Sequence, residues 1–400
     1  MEESSHILVN NHSVIIFKQM TIILFISLLA VLSGCAATAN EVLITVSNPT
    51  DIDRNNEIVE LEWQSIQEKL NLQEGESFII TANNIQTPYQ LVTNSYTNSE
   101  KIIFLSSVEA NKDVVYTISN GIPEPFKPLV YGRLVPERKD DFAWENNRTA
   151  FRIYGPALKA TGEISNGMDY WAKKTEELII DKWYKNDLSN VASYHTDNGE
   201  GLDFYKVGRT LGLGMTAPYV NDTICLGDNF VNAEIIDNGP LRITFKLTYD
   251  PYFAGEFEVY ETRIISLDAF SFFNRVTNIF KTDASNFTVA TGIVMPVDNP
   301  EEDVDNKTFG DKIGIIAYET PTDKVNGTIY TAAINPSGFN SITISEGHFL
   351  GLNSYESGKE YTYYAGGGWS KAAIKDFDSW IEFIKTQKEI IDNPLIVKIK

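Results

Sequence analysis

Leu241–Tyr249 reads LRITFKLTY, and its apolar and polar residues alternate without a fault. Successive side chains of a β-strand point to opposite faces, so a period of two predicts a strand in a sheet with one wet face. Glu256–Ile265, Ser271–Phe280 and Phe287–Met295 follow at short intervals, divided by turn residues such as Asp268 and Asp283, and Lys312–Tyr318 and Gly327–Ile334 continue the pattern. Closely spaced strands with turn signals between them predict an antiparallel sandwich, hence an all-β fold class with a few helices. The strongest helix is Asp376–Ile391, with Phe377, Trp380, Ile381, Ile384 and Ile391 on one face and Pro394 just past its end. Lys173–Asn186 also carries helical spacing. YTYYAGGGWSK, Tyr361–Lys371, asks for backbone freedom at Gly366, Gly367 and Gly368. It lacks the Lys-Ser/Thr that would make it a phosphate loop.

Towards the N-terminus, Asn40–Gly121 reads as a small all-β module. Val42–Val46, Phe78–Thr81, Lys101–Leu105 and Asp113–Ile118 are strand-like runs divided by Asn, Asp, Ser and Gly. Glu60–Leu70 fits a short helix or a strand plus turn. Pro123, Pro125 and Pro128 mark a stiff linker. The chain therefore divides into a targeting segment at 1–34, a small β-sandwich module at 35–121, and a large catalytic sandwich domain at 126–400. Within the targeting segment Lys18 precedes the apolar run Ile22–Val31, too short to span a bilayer as a mature helix. Leu32-Ser33-Gly34-Cys35 resembles the bacterial lipoprotein processing box, which makes Cys35 the lipidated first residue of the mature chain. An ordinary signal peptide is the alternative. Export to the cell envelope follows from either, and lipidation places the protein on the outer membrane, facing the periplasm or the cell surface.

The chain carries 33 Lys+Arg against 54 Asp+Glu, a formal net charge of -21. Such acidity excludes nucleic acid as a partner, because phosphates need a basic surface. Removing residues 1–34 takes away His6 and His12 and leaves His195 and His348. Cys225 is then the one cysteine besides Cys35 and reads as a small buried hydrophobe, too little for a zinc site. Chemistry must come from carboxylates, tyrosines, lysines, arginines or one of two histidines.

Those residue types crowd in Tyr131–Leu158, YGRLVPERKDDFAWENNRTAFRIYGPAL. In Ala150–Tyr154 a strand puts Arg152 and Tyr154 on one face and Phe151 and Ile153 on the other; Tyr131, Arg133 and Val135 alternate likewise. Two guanidiniums on one cleft would clamp a carboxylate or sulfate. Glu137–Arg148 between them reads as a loop, with Trp144 placed to stack on a sugar ring and Glu145 and Asn146 to grip hydroxyls. The competing reading is a surface hairpin of solvated ion pairs. The second candidate is the polar loop around His195, whose imidazole type exchanges protons near neutral pH. A surface histidine held by Asp197 is its alternative. Lys206 and Arg209 add positive charge for substrate, and His348 ranks behind His195. No cofactor is required; Asp197, Glu200 and Asp203 offer oxygens for a calcium ion without the spacing of an EF-hand loop.

Arginines, a tyrosine and a histidine together suit β-elimination on a uronic acid. An arginine neutralises the C5 carboxylate, and a base removes the C5 proton as the C4 substituent leaves. A sugar leaving group makes a lyase and a hydroxyl a dehydratase. Hydrolysis needs two carboxylates, for which Asp141, Glu145, Asp197 and Glu200 are available.

Three segments carry a resemblance: the Tyr131–Leu158 stretch, HTDNGEGLDFYKVGRTLGLG at His195–Gly214, and YYAGGGWSK near the C-terminus. They are similar to a domain-of-unknown-function family encoded in bacterial polysaccharide-utilisation loci, one member of which acts as an oligosaccharide dehydratase on ulvan. The resemblance implies a β-supersandwich of the galactose-mutarotase type. It also implies elimination of water from the non-reducing-end glucuronic or iduronic acid of a sulfated oligosaccharide, the 4,5-unsaturated product feeding an unsaturated glucuronyl hydrolase. On the residues themselves, Arg133 and Arg152 are assigned to the acid group, His195 to proton transfer with Tyr154 as partner, and Trp144 to the ring. A lyase, a glycoside hydrolase and a non-catalytic carbohydrate-binding lipoprotein remain the alternatives.

Overall fold

The long sheet that Leu241–Tyr249 announces runs through eight antiparallel strands. Their spatial order is Asn232–Asn238, Arg242–Thr248, Phe257–Asp268, Phe273–Lys281, Glu360–Trp369, Ile329–Ile334, Ile315–Glu319 and Thr308–Asp311. The structure is a computed structural model that describes residues 41–73, 75–93, 100–295 and 307–400; the targeting segment and Cys35 lie outside them. One face of the long sheet, with Ile243, Phe245, Ile265, Val276 and Ala365, meets two smaller antiparallel sheets. The first joins Thr223–Ile224, Leu213–Val220, Asn286–Val294, His348–Glu356 and Ser341–Ser345. The second joins Gly201–Asp203, Asp169–Lys173, Ala150–Ile153, Asp141–Asn146 and Val130–Val135. Its inner face supplies Phe142, 4.1 Å ring to ring from Phe245, and Trp144, 4.8 Å from the same ring. Aromatic pairs at these separations fuse the layers into one core.

The opposite face of the long sheet, expected to be wet, is covered over much of its length and half-exposed at Lys246, Thr248 and Thr362. Helix Phe377–Asp392, capped by Asp376 through the Ser379 N–H, lays Trp380, Ile381 and Ile384 over Phe273, Ala317 and Tyr330. The N-terminal module covers part of the remainder. Its three-stranded sheet, Arg54–Glu62, Glu100–Val108 and Tyr89–Thr93, faces a five-stranded one of Ile396–Ile399, Glu41–Ser47, Asp113–Asn120, Phe78–Ala82 and Ile85–Gln86. Helix Trp63–Leu70 continues directly from the strand before it, and Val42, Ile44, Phe104 and Ile118 fill the space between. Arg242 explains why the start of the polar half of LRITFKLTY is buried while Lys246 and Thr248 stay half-exposed: its guanidinium binds Asp268 at 2.5 and 2.8 Å and Glu60 of the module at 2.5 Å. Gln90 adds bonds to the Leu241 and Arg242 backbone at 2.8 to 3.0 Å.

Three local expectations are corrected. Asp141–Asn146, read as part of a loop, is a strand buried at every position, its charges satisfied inside the protein. The helix in Lys173–Asn186 starts only at Ile180, because Lys173 ends the strand Asp169–Lys173. Gly366 lies within the strand Glu360–Trp369 and is needed for space rather than for an unusual φ: an added Cβ would stand 2.0 Å from the Phe272 carbonyl oxygen.

Candidate functional site

The five-stranded sheet bearing Asp141–Asn146 turns its polar face outward. Register places Arg133, Ala143, Arg152 and Asp169 in one row across four strands, with Trp171 paired to Asp203 in the next. Helix Ile180–Leu188 covers the middle of this face, stacking Trp183 on Trp171 at 5.6 Å between ring centroids. Beyond it the loop through Tyr194 and His195 closes the end of the sheet, Tyr194 also stacking on Trp171 at 5.0 Å.

Arg152 lies at the centre of that end. Its Nη2 donates to Asp169 at 2.6 Å and to Asp203 at 2.7 Å, and its Nε donates to Asp169 at 2.9 Å. The rings of Tyr154, Trp171 and Tyr194 stand 5.0 to 5.7 Å from its guanidinium carbon. The Tyr154 hydroxyl donates to Asp169 at 3.1 Å, and Tyr184 donates to Asp141 at 3.2 Å. Burial drives the Asp203 carboxyl well above its ordinary range, with the Asp169 carboxylate adding to it and Arg152 opposing. Burial likewise lifts Asp141 to about 6 against the pull of Arg152 and Arg138. Tyr154 is held well above the usual phenol range, by burial first and then by Asp169.

Two groups of this cluster reach solvent. The Arg138 side chain is 28% exposed and its Nε donates to the Tyr194 hydroxyl at 3.3 Å. The His195 side chain is 58% exposed. Its Nδ1 lies 2.9 Å from the Asp203 backbone carbonyl, an acceptor only, so Nδ1 carries a proton and, in the neutral ring, Nε2 holds the lone pair. Within the cluster the buried atoms Arg138 Nη1, Asp141 Oδ1 and Trp171 Nε1 have no hydrogen-bond partner among the described residues.

The structure thus brings Arg152, Tyr154 and His195 together and leaves Arg133 aside. Arg133 shares the face, but Glu137 and Asp181 hold it at 2.6 Å each, so the pair of guanidiniums does not form one clamp. Arg152 itself grips the protein's own carboxylates and is 4% exposed. Trp144 is fully buried on the inner face, its Nε1 donating to Asn274 at 2.7 Å, which rules it out as a sugar platform. Glu145 is equally buried, bound to Lys173 at 2.6 Å and accepting the N–H groups of Ile179 and Ile180 at 2.7 and 2.8 Å at the start of the helix. Asn146 shapes its own turn through the N–H groups of Arg148 and Thr149. Neither is free for hydroxyls. Arg209 faces Asp228 at 4.0 Å, while Lys206 lines a separate hollow with Phe204, Tyr205 and Thr320. Asp197 binds Lys174 at 2.6 Å, Glu200 binds Lys182 at 2.8 Å and Asp203 binds Arg152, each carboxylate engaged by a different cation. Among the described residues no three His, Cys, Asp or Glu side chains gather as a metal site. His348 is structural: its Nε2 accepts the Leu211 N–H at 3.1 Å and its Nδ1 meets the Glu346 carbonyl at 2.7 Å.

Arg138, Asp141, Asp169, Tyr194 and Asp203 complete the cluster without having been assigned to it. Arg138 and Asp141 stand inside Tyr131–Leu158, where the charged and aromatic residues crowd; Asp169 and Asp203 come from strands whose pairing no local pattern announces.

A solved structure of a protein in the Glycosyl Hydrolase Family 38 from Enterococcus faecalis superposes with a TM-score of 0.52 at 8% identity. The match covers 90% of this chain and 47% of that one, so the chain spans about half the length of the structure it resembles. The likeness agrees with the all-β supersandwich of galactose-mutarotase type. In sequence the chain is 30% identical over 412 residues to "Uncharacterized protein P7" of Formosa agariphila, covering 96% of this chain and all of that one. Residues 46–397 match the family described as "Domain of unknown function (DUF4861)", and the chain belongs to that family.

Proposed function

We propose that the protein is a sugar-active enzyme that removes water from the terminal uronic acid of an acidic, sulfated oligosaccharide and leaves a 4,5-unsaturated uronate. The observation that carries this reading is the hydrogen bond from His195 Nδ1 to the Asp203 carbonyl. It leaves Nε2 of the neutral ring as a base on an exposed side chain, packed on Tyr194, whose hydroxyl accepts from the partly exposed Arg138 guanidinium. Arg138 takes the part first given to Arg133 and neutralises the sugar's C5 carboxylate. Nε2 accepts the C5 proton, the C5–H electron pair becomes the C4=C5 bond, and the C4–O bond breaks. The departing hydroxyl takes the proton back from the His195 imidazolium so formed and leaves as water, while Tyr154, bonded to Asp169, holds the cluster behind it. Arg152 is a positioning residue: it fixes Asp203, whose backbone orients His195. The supersandwich shared with a Glycosyl Hydrolase Family 38 protein is compatible with work on sugars. In this reading the protein is exported and anchored through Cys35, and its product passes to an unsaturated glucuronyl hydrolase.

The test is incubation with uronate-ended oligosaccharides, read by mass spectrometry and by ultraviolet absorbance of the new conjugated alkene. Loss of one water at unchanged chain length is expected, and His195→Ala should slow it by roughly a hundredfold or more. Shortened chains would replace this reading by a lyase or a glycoside hydrolase. Binding without turnover would make the protein a carbohydrate-binding lipoprotein.

A further inference from the structure

A cavity of about 440 Å³ opens at the other end of the strand Asp169–Lys173, between Asn147-Arg148, Lys173–Glu176 and the Trp369–Ala373 segment. Its wall carries Arg148, Lys173, Lys174 and Lys371 against the single carboxylate of Glu176, in a chain of net charge -21. Lys173 is spent on Glu145 at 2.6 Å and the Asn146 carbonyl at 2.8 Å. The other three reach solvent. Arg148 pairs with Glu176 at 3.0 Å at the surface, Lys174 binds Asp197 and lies 5.7 Å from the Trp369 ring, and Lys371 donates to the Val325 carbonyl.

Asn147 supplies the independent pointer. It is 1% exposed, and its Oδ1 accepts the Phe270 N–H at 2.8 Å, which fixes which end of the amide is nitrogen. Its Nδ2 is buried without a hydrogen-bond partner among the described residues. Asn147 lines the cavity, and a buried donor without a partner among cations is stabilised by the approach of an oxyanion.

We infer that this cavity is a subsite for the sulfate ester of a sugar ring, separate from the His195 cluster. Single-point donors from separate segments match the oxygens of a tetrahedral sulfate, whereas a planar carboxylate favours a free arginine fork. From Asp169 to Lys173 the strand rises roughly 13 Å, so a ligand touching both places spans more than one ring. That the anion is borne by a sugar rests on the function proposed above; the anion site does not.

Calorimetric titration with inorganic sulfate, and with an oligosaccharide in sulfated and desulfated forms, tests it. Sulfate should bind the wild type, and desulfation should weaken the oligosaccharide about tenfold or more. Arg148→Gln/Lys371→Gln should lose sulfate binding and take both oligosaccharides equally weakly, with its melting temperature serving as the check on folding. Asn147→Asp keeps the acceptor for Phe270 and should also repel the anion. His195→Ala should retain the sulfate preference while losing turnover. Sulfate binding that depends on Arg148 and Lys371 without any oligosaccharide binding would support the anion site and overturn its sugar ligand. Equal affinity for both oligosaccharides, or sulfate binding unchanged in the double variant, would overturn the subsite.

Discussion

Asp141 has no exposed surface, yet its carboxyl sits between the guanidiniums of Arg152 at 3.8 Å and Arg138 at 3.9 Å. Burial dominates and lifts its pKa from 3.8 to about 6. The folded protein therefore binds more protons at this position than the unfolded chain across that window. Stability contributed here falls as pH rises from the lower value to the higher and stays lost above it. The shift corresponds to a difference on the order of 3 kcal/mol. Asp141→Asn removes the titration, so the wild-type stability minus that of the variant should decline by about that amount between roughly pH 4 and pH 7. Urea unfolding at stepped pH measures it, and parallel profiles for the two proteins would contradict the assignment. At this scale the sequence was informative about faces and poor about partners. The alternation in Ala150–Tyr154 set Arg152 and Tyr154 together, while the acids that occupy Arg152 arrive from Asp169 and Asp203, 17 and 51 residues away. A guanidinium's availability depends on such long-range pairing, which a local pattern does not contain.

Among the elements, the strand Asp141–Asn146 was the hardest to read. Its flanks are charged and three of its six residues are polar, the composition of a loop, but Asp141 meets Tyr184, Glu145 meets Lys173 and Asn146 binds the Asp268 and Ser271 carbonyls. Each polar side chain finds a partner in another element, Asp141 through one oxygen only, and burial follows. Glu360–Trp369 was misread differently. Gly366, Gly367 and Gly368 do not supply the backbone freedom expected of them; they let a central strand run against its neighbours. An alanine Cβ at Gly366 would meet the Phe272 carbonyl oxygen at 2.0 Å and its carbon at 2.9 Å, backbone atoms that cannot swing away. At Gly358 there is nothing within 4 Å, and only the φ of +80° opposes a side chain. Gly358→Ala should therefore cost about 1 kcal/mol, and Gly366→Ala about 3 kcal/mol or more. Chemical denaturation of both variants compares them; equal losses would mean that close approach is not what the central glycine provides.

For the whole molecule, the N-terminal module is closed by the opposite end of the chain. Ile396–Ile399 pairs with Ile44–Ser47, and Leu395, Val397 and Ile399 pack on the module's core. Arg54, 1% exposed, donates to the Ile390 carbonyl at 3.3 Å and the Asn393 carbonyl at 2.5 Å, tying the module to the end of the helix that covers the long sheet. Nothing local in the four residues IVKI points to a partner more than three hundred positions earlier, so a boundary drawn along the sequence omits this strand. Removing residues 395–400 deletes one edge of the module's larger sheet and three apolar side chains, a loss of about 3 kcal/mol. The supersandwich core formed by Phe142, Trp144, Phe245 and Ile265 contains none of these residues. The truncated protein should accordingly lose its module first. Limited proteolysis followed by mass spectrometry should show early cuts within residues 41–121 while the segment from Val130 to Asp392 resists, and thermal unfolding should separate into two steps. Proteolytic resistance of the module equal to that of the full chain would show instead that its own sheets suffice, leaving the C-terminal strand a passenger on their edge.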